Sequence, residues 1–282
     1  MSSAPTPSPR PPRRRTLADR LICGARAGYY ALAEPPRLRL ARFRYGRRYQ
    51  NRQARPLISI MMPTYQRGKL LVERTLPPIF AQTYQNFEIV IVGDCTADDT
   101  AELLAKITDP RLRFYNLPRR SKYPADTKSR WFVGGVPPRN VGLSLCRGDW
   151  IAELDDDDIF FPDHLEVLLR YAQENNYELV SASYIAERYG KRSVVDVRDV
   201  APRVGGIETW LYRSYLRFFR YNIDSWRKSY NCPQEIDRQI RMYRAGVRIG
   251  FLDQPVALVL PLPGAETVGL DALAIKTGEQ LR

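Results

Sequence analysis

Short, nearly all-apolar runs punctuate the chain and alternate with stretches of helical period. Residues 57–62 (LISIMM), 87–92 (FEIVIV), 112–116 and 150–154 read as strands. The first two show no polar alternation, as expected of strands buried on both faces. Between them, residues 68–82 carry Leu70, Leu71, Leu76, Ile79 and Phe80 at helical spacing, interrupted at Pro77-Pro78. A second helix should start at the cap Asp98-Asp99-Thr100 and run to about Ile107. Pro63-Thr64-Tyr65 is expected to break the first strand, and Arg139 to Leu143 should lie on a helix. Further on, 163–173 reads as a helix, 179–186, 193–197 and 206–212 as strands, and 235–245 as an amphipathic helix closed by Gly246. Residues 247–252 and 256–260 complete the strands, and 264–282 carries little signal and reads as a tail. Such alternation predicts right-handed βαβ units and an α/β fold: a Rossmann-like, mostly parallel central sheet with flanking helices.

In such a sheet, ligands bind beyond the carboxyl ends of the strands. Thr64, Asp94 and the run Asp155, Asp156, Asp157 and Asp158 all follow strands directly. They are distant in sequence, and the topology gathers them on one edge. Four adjacent carboxylates repel one another, so protons or a cation must neutralise them. Mg²⁺ or Mn²⁺ suits this chemistry, taking one or two carboxylates together with phosphates and water. A calcium hand fits poorly, because Ile159 to Asp163 lacks its Gly and Glu. Arg130 and Arg139 are candidates to meet a diphosphate, or else surface arginines. His164, the single histidine, is expected to be structural and solvent-facing; with no partnered Cys or Ser, triad chemistry is disfavoured. Trp210, Tyr212, Tyr215, Phe218, Phe219 and Trp226 would stack an acceptor or pack in the core.

Composition adds one distinctive number. The 282 residues carry a net charge of +13, and residues 1–55 alone hold 14 Arg against Asp19 and Glu34, a net +12. The remainder is nearly neutral, with a second basic stretch at 111–139. A near-neutral body argues against nucleic acid as the partner. Residues 1–16, rich in Pro, Ser and Arg, are expected to be disordered. Leu17, Leu21, Ala25, Tyr29 and Leu32 then suggest a short helix, weakened by Gly24 and Gly28. Such a basic arm either contacts an anionic membrane surface, or is a solvated leader or a helix packed on the body, and the sequence leaves these open. No uncharged run approaches the ~20 residues of a membrane helix. Cys23, Cys95, Cys146 and Cys232 are widely spaced, arguing against zinc and disulfides and for a cytoplasmic setting, with the inner face of the membrane as a possible station.

Three blocks also resemble one family. The segment from Ile58 to Thr100 (ISIMMPTYQRGK…IVIVGDCTADDT), the segment PRNVGLSLCRGDWIAELDDDD and the segment EIDRQIRMYRAGVRIGFLDQP are similar to the ordered motifs of family 2 glycosyltransferases, which have the GT-A fold. The resemblance covers about Pro56 to Leu260. It implies a glycosyltransferase domain at 56–262, with a nucleotide-sugar-binding half at 56–160 and an acceptor half at 161–262, flanked by the basic arm at 1–55 and a tail at 263–282. It implies that Pro63, Thr64 and Tyr65 contact the nucleoside and that Asp94 binds the base, usually uracil. Gly93 stands where the family usually has a first acid. Asp155 and Asp157 match the DxD metal motif around Asp156, and Asp157 is the favoured ligand. The family's catalytic Glu-Asp pair reads Gln234-Glu235, which makes Glu235 the first candidate base and Asp237 the second. The implied activity is inverting, metal-dependent transfer from a nucleotide sugar, UDP-linked by preference, to a hydroxyl of a glycan, a lipid-linked or another acceptor, as in polysaccharide or cell-envelope biosynthesis. The alternatives are a nucleotidyltransferase, disfavoured by the lack of a Gly-rich phosphate loop, and a non-catalytic nucleotide-sugar-binding protein.

Overall fold

A computed structural model describes residues 15–195, 197, 201–228 and 232–277. Apart from Arg15 and Thr16, the segment expected to be disordered at the N-terminus lies outside these residues, as do 196 of the 193–197 strand and 278–282 of the tail.

The chain opens with α1 (Leu17–Tyr45). The first half of the sheet follows: β1 (Ile58–Thr64), α2 (Gly68–Leu70), a π-helical turn (Leu71–Thr75) and α3 (Leu76–Phe80), β2 (Phe87–Gly93), α4 (Thr100–Ala105), β3 (Leu112–Asn116), α5 (Thr127–Phe132), α6 (Val136–Leu145) and β4 (Trp150–Glu153). The second half holds β5 (Ile159–Phe160), α7 (His164–Glu174), β6 (Leu179–Arg188), β7 (Lys191–Val194), β8 (Leu211–Arg213), α8 (Gln234–Ala245), β9 (Ile249–Val259) and α9 (Gly269–Thr277). Among the described residues these strands form one sheet in the order β3-β2-β1-β4-β8-β6-β9-β5, with β7 against β6. The β3-β2-β1-β4 block is parallel, and β6 and β9 are parallel to each other. Antiparallel pairing enters at β8, which joins the two halves. The fold is thus a mostly parallel α/β sheet with flanking helices, as expected.

Every residue of β1 and β2 is buried. Successive side chains of a strand point to opposite faces, so Ile58, Ile60 and Met62 pack with Leu71, Leu76, Ile79 and Leu168, whereas Met61 packs with Val136 and Leu143 of α6. This two-sided burial is the reason the β1 and β2 runs carry no polar alternation.

Several boundaries differ from expectation. β1 continues through Pro63 and Thr64, where a break is expected. Its pairing with β4 ends at Met61, so Pro63 has a strand neighbour on one side only, a place where its missing N–H is tolerated. Residues 206–212 are not one strand: Ile207–Thr209 forms a 3-10 turn before β8. The two runs at 247–260 merge into β9, with register shifts against Ala182, Ser183 and Ile185.

The largest difference is at the N-terminus. A Thr16–Asp19 capping box starts α1, which runs for 29 residues through Pro35 and Pro36. A helix-interior proline costs a backbone hydrogen bond, and docking offsets the loss. Leu38 and Ala41 are buried beside Met242 of α8. Asp19 accepts from Arg227 at 2.6 Å, Arg26 meets Asp224 at 2.5 Å, Arg42 meets Glu178 at 2.5 Å, and Glu34 pairs with Arg241. The helix is therefore longer than the short one expected, and in the described residues α1 packs on the sheet domain, one of the readings the sequence left open.

Candidate active site

The carboxyl ends of β1, β2 and β4 open into one cleft of about 730 Å³. Pro63, Thr64, Tyr65, Asp94, Arg139, Asp155, Asp156 and Asp157, all expected at a nucleotide or metal site, line it. The first turn of α8 adds Glu235 from the other half of the sheet.

Asp94 follows β2 directly. Its Oδ2 accepts from the Tyr123 hydroxyl at 2.7 Å and lies 3.7 Å from Arg120 Nε. Its Oδ1 is buried and has no partner among the described residues. Burial holds this carboxyl above its ordinary range, against the pull of Tyr123 and Arg120. A buried carboxylate oxygen without a donor leaves a seat for an N–H of a ligand. Arg120 also lies 3.7 Å over the Tyr65 ring and donates to its hydroxyl at 2.6 Å. The missing acid at Gly93 has a steric reason. A Cβ there would come within 2.6 Å of Asn116 Oδ1, and Asn116 is tied to Thr96 by two hydrogen bonds.

The acidic run is a tight turn braced by two arginines. Asp156 accepts from the Thr64 hydroxyl at 2.7 Å and from Arg67 at 2.7 Å, and Arg67 also reaches Asp157 at 2.9 Å. Asp155 pairs with Arg139, which lies 3.4 Å from the buried Glu153. Arg139 Nε is itself buried without a partner among the described residues. Burial, reinforced by the Asp156 charge, raises Asp157 to about 7, and burial raises Asp156 and Asp158 as well.

Among the described residues no three Asp, Glu, His or Cys side chains could enclose a metal by themselves. Mg²⁺ or Mn²⁺ would take only one or two of these carboxylates, with waters and substrate phosphates completing the shell. Asp155 and Asp157 are the open members of the run, with side chains 38% and 20% exposed against 7% for Asp156. Hard oxygen donors carrying excess negative charge beside a cleft fit such an ion.

The two candidate bases are separated. Glu235 lines the cleft, and burial lifts it to about 7, opposed by Arg139. Asp237 does not line the cleft: it is 1% exposed, pairs with Lys228, and accepts from Arg241 at 2.9 Å. Residues two apart on a helix point to nearly opposite sides, so α8 can offer the cleft only one of them. The structure thus places the second-choice base in the α1–α8 seam, away from the cleft.

Some cleft residues escaped the sequence reading. Arg67, in the turn after β1, was hidden among many arginines. Glu208 lines the cleft from the 3-10 turn, raised to about 8 by burial, and a strand reading of 206–212 gave it no role. Tyr123 sits in an irregular basic stretch. Thr267, Val268 and, on α9, Ala272, Leu273 and Lys276 also line the cleft, so residues 265–277 are not a free tail. Arg130 lines the cleft, its guanidinium held by the carbonyls of Pro124 and Ala125.

Other candidates are structural. His164 is fully buried, not solvent-facing: its Nδ1 lies 3.0 Å from the Val256 carbonyl, its ring stacks on Phe160, and burial lowers it to about 3. Trp210, Tyr212, Tyr215 and Phe219 are core residues and none lines the cleft. The Tyr212 and Tyr221 hydroxyls and Arg238 converge on Glu153, at 2.5, 2.8 and 2.5 Å.

Comparison with known proteins points the same way. The Glycosyl transferase family 2 profile matches residues 59–234. The succinoglycan biosynthesis protein ExoO of Rhizobium meliloti is 36% identical over 117 residues, covering 42% of this chain and 30% of that protein. The chain spans less than half the length of the curated relatives it matches. S. aureus TarS 1–349, solved in complex with UDP-GlcNAc, superposes with a TM-score of 0.59 at 19% identity, over 74% of this chain and 60% of that one. The mannosyltransferase PcManGT of Pyrobaculum calidifontis, in complex with GDP-Man and Mn²⁺, gives 0.52 at 17% identity, over 83% and 68%.

Proposed function

The chain belongs to Glycosyl transferase family 2, and from that premise we propose that it moves a sugar from a nucleoside diphosphate-sugar donor to an acceptor hydroxyl with inversion at the anomeric carbon. The observation that carries this reading is the meeting of Asp94, the acidic run and Glu235 in one cleft.

Each residue has a part that follows from its surroundings. The unpartnered Asp94 Oδ1 accepts an N–H of the base, and the preference for uracil in a UDP-linked donor rests on the family resemblance. Pro63, Thr64 and Tyr65 border the nucleoside. Asp157 and Asp155 would hold Mn²⁺ or Mg²⁺, which supplies Lewis-acid neutralisation of the diphosphate. Arg139 keeps a free Nε and Arg67 bridges two carboxylates; both can turn to phosphate oxygens as their acids engage. Glu235 accepts the acceptor's hydroxyl proton. The acceptor oxygen bonds to the anomeric carbon as the bond from that carbon to the diphosphate oxygen breaks, and the electron pair departs with the nucleoside diphosphate. The acceptor is a hydroxyl of a glycan, a lipid-linked or another carrier molecule.

The test is a panel of nucleoside diphosphates and their sugars, each with Mn²⁺, read by thermal unfolding and by release of nucleoside diphosphate. A ligand at about 100-fold its Kd should stabilise by about 2.7 kcal/mol. If no nucleoside diphosphate stabilises the chain, the proposal fails. Stabilisation by a nucleotide sugar with no turnover on any acceptor would favour the non-catalytic reading, for which the Gln234-Glu235 pair is the one observation.

A further inference from the structure

Helix α1 is amphipathic in the opposite sense to an ordinary surface helix. Its inward side carries charge alongside the buried Cys23, Leu38 and Ala41, through Asp19 with Arg227, Arg26 with Asp224, Glu34 with Arg241 and Arg42 with Glu178. Its outward side is apolar: Leu17, Leu21, Leu32 and Phe43 are 72%, 65%, 80% and 86% exposed. Leu21, Leu32 and Phe43 recur every 11 residues, three helical turns, and so fall in one row. Ala25 and Gly28 fill the same side, and Tyr29 and Leu40 widen it. A surface helix normally buries its apolar face and shows water its charges.

Exposed arginines accompany the stripe: Arg39 lies in the row itself, five helical turns after Leu21, and Arg20, Arg37 and Arg44 stand to its sides. Beyond Phe43, a second cleft of about 380 Å³ is lined by Arg42, Arg47, Arg52, Arg213 and Arg248. Arg213 in it is 4% exposed, and its Nε has no partner among the described residues. An apolar row flanked by arginines, ending at an arginine-lined cleft, matches one kind of surface: acyl chains beneath anionic headgroups. A second copy of the chain fits worse, since an isologous contact through this face would bring the two sets of arginines together.

We propose that the outward face of α1 lies in the interface of an anionic lipid bilayer, with Leu17, Leu21, Leu32 and Phe43 entering the acyl boundary and the flanking arginines meeting headgroup phosphates. The inference is independent of the proposed reaction. It gives the charge pairs beneath α1 the task of holding the helix on the body while its apolar side faces lipid.

Vesicle flotation with the full chain tests it. Vesicles of phosphatidylcholine and phosphatidylglycerol should bind the protein, less so at high salt, whereas vesicles of phosphatidylcholine alone should bind far less. The triple variant Leu21→Gln, Leu32→Gln and Phe43→Gln keeps every arginine and should weaken binding at least about tenfold, since each substitution removes apolar area from the contact. Its far-UV circular dichroism should match the parent, because all three side chains are exposed. Hydrogen exchange of the unmodified chain, which needs no variant to fold, should show protection of 17–45 on adding the anionic vesicles. Undiminished vesicle binding by the triple variant would overturn the proposal, as would exchange at 17–45 unchanged by vesicles. A concentration-dependent dimer lost in the triple variant, without vesicle binding, would overturn it in favour of a contact between copies.

Discussion

At the scale of single residues, the same burial that places Glu235 in the cleft also sets when it can work. An ordinary Glu is ionised by neutral pH, but this one is raised to about 7. The base must be ionised, so turnover should rise with pH through about 7 and level off above it, and Glu235→Gln should lose roughly 10²–10⁴-fold in turnover while nucleotide affinity holds. Asp237→Asn should instead leave the pH profile in place and lower stability, because Asp237 answers Arg241 and Lys228 away from the cleft. A variant at 237 that shifts the pH profile of turnover would refute this division. Asp94 makes a separate prediction. Asp94→Asn exchanges one acceptor oxygen for a donor, and should weaken UDP binding by about 1–3 kcal/mol, measured by titration calorimetry, with far-UV dichroism unchanged. The sequence made the first assignment legible as far as it could, since it named both carboxylates. Choosing between them required knowing which side of α8 faces the cleft, a rotation that no spacing argument supplies.

At the scale of elements, legibility follows how much of an element's fate is local. β1 and β2 are buried on both sides, and their apolar runs say so without help from the rest of the chain. The long α1 is decided elsewhere: Pro35 and Pro36 argue against it locally, and partners up to 208 residues away hold it. The same holds for α9, whose weak pattern reflects a helix set against a cleft rim rather than a core. The α1–α8 seam allows a direct check. Arg241 joins Glu34 of α1 to Asp237 of α8 and also donates to the Arg220 carbonyl, and all three charged side chains are nearly fully buried. Arg241→Leu leaves Glu34 without its cation and Asp237 with Lys228 alone, and should cost about 3–5 kcal/mol in urea unfolding near neutral pH. Adding Glu34→Gln to that variant should recover part of the loss, and no recovery would show that the seam is not electrostatically coupled.

At the scale of the whole molecule, the +13 net charge divides unevenly, but not into an arm and a separate enzyme. Both acids of the first 55 residues are spent on arginines of the body, and some of the arm's arginines on the body's acids. What remains outward is basic and apolar, while the cleft concentrates acids that burial makes reluctant to ionise. Burial raises Glu34 and Glu235 to about 7 and Glu208 to about 8. A carboxyl raised on folding holds a proton that the unfolded chain has already released, so stability falls as pH rises from the unfolded value toward the folded one. His164 works the other way: lowered to about 3, it loses stability as pH falls below about 6.5, where the unfolded imidazole takes a proton. The two effects oppose each other below about pH 6.5 and separate above it, where His164 is neutral in both states. The ligand-free protein should therefore lose several degrees of Tm between about pH 6.5 and about pH 8, read by thermal unfolding. Glu208→Gln should flatten that slope, because it removes the carboxyl with the highest of the three values. A Tm that rises over the same interval would mean that these acids are ionised in the folded chain, with the cleft and the α1–α8 seam far wetter than their burial indicates.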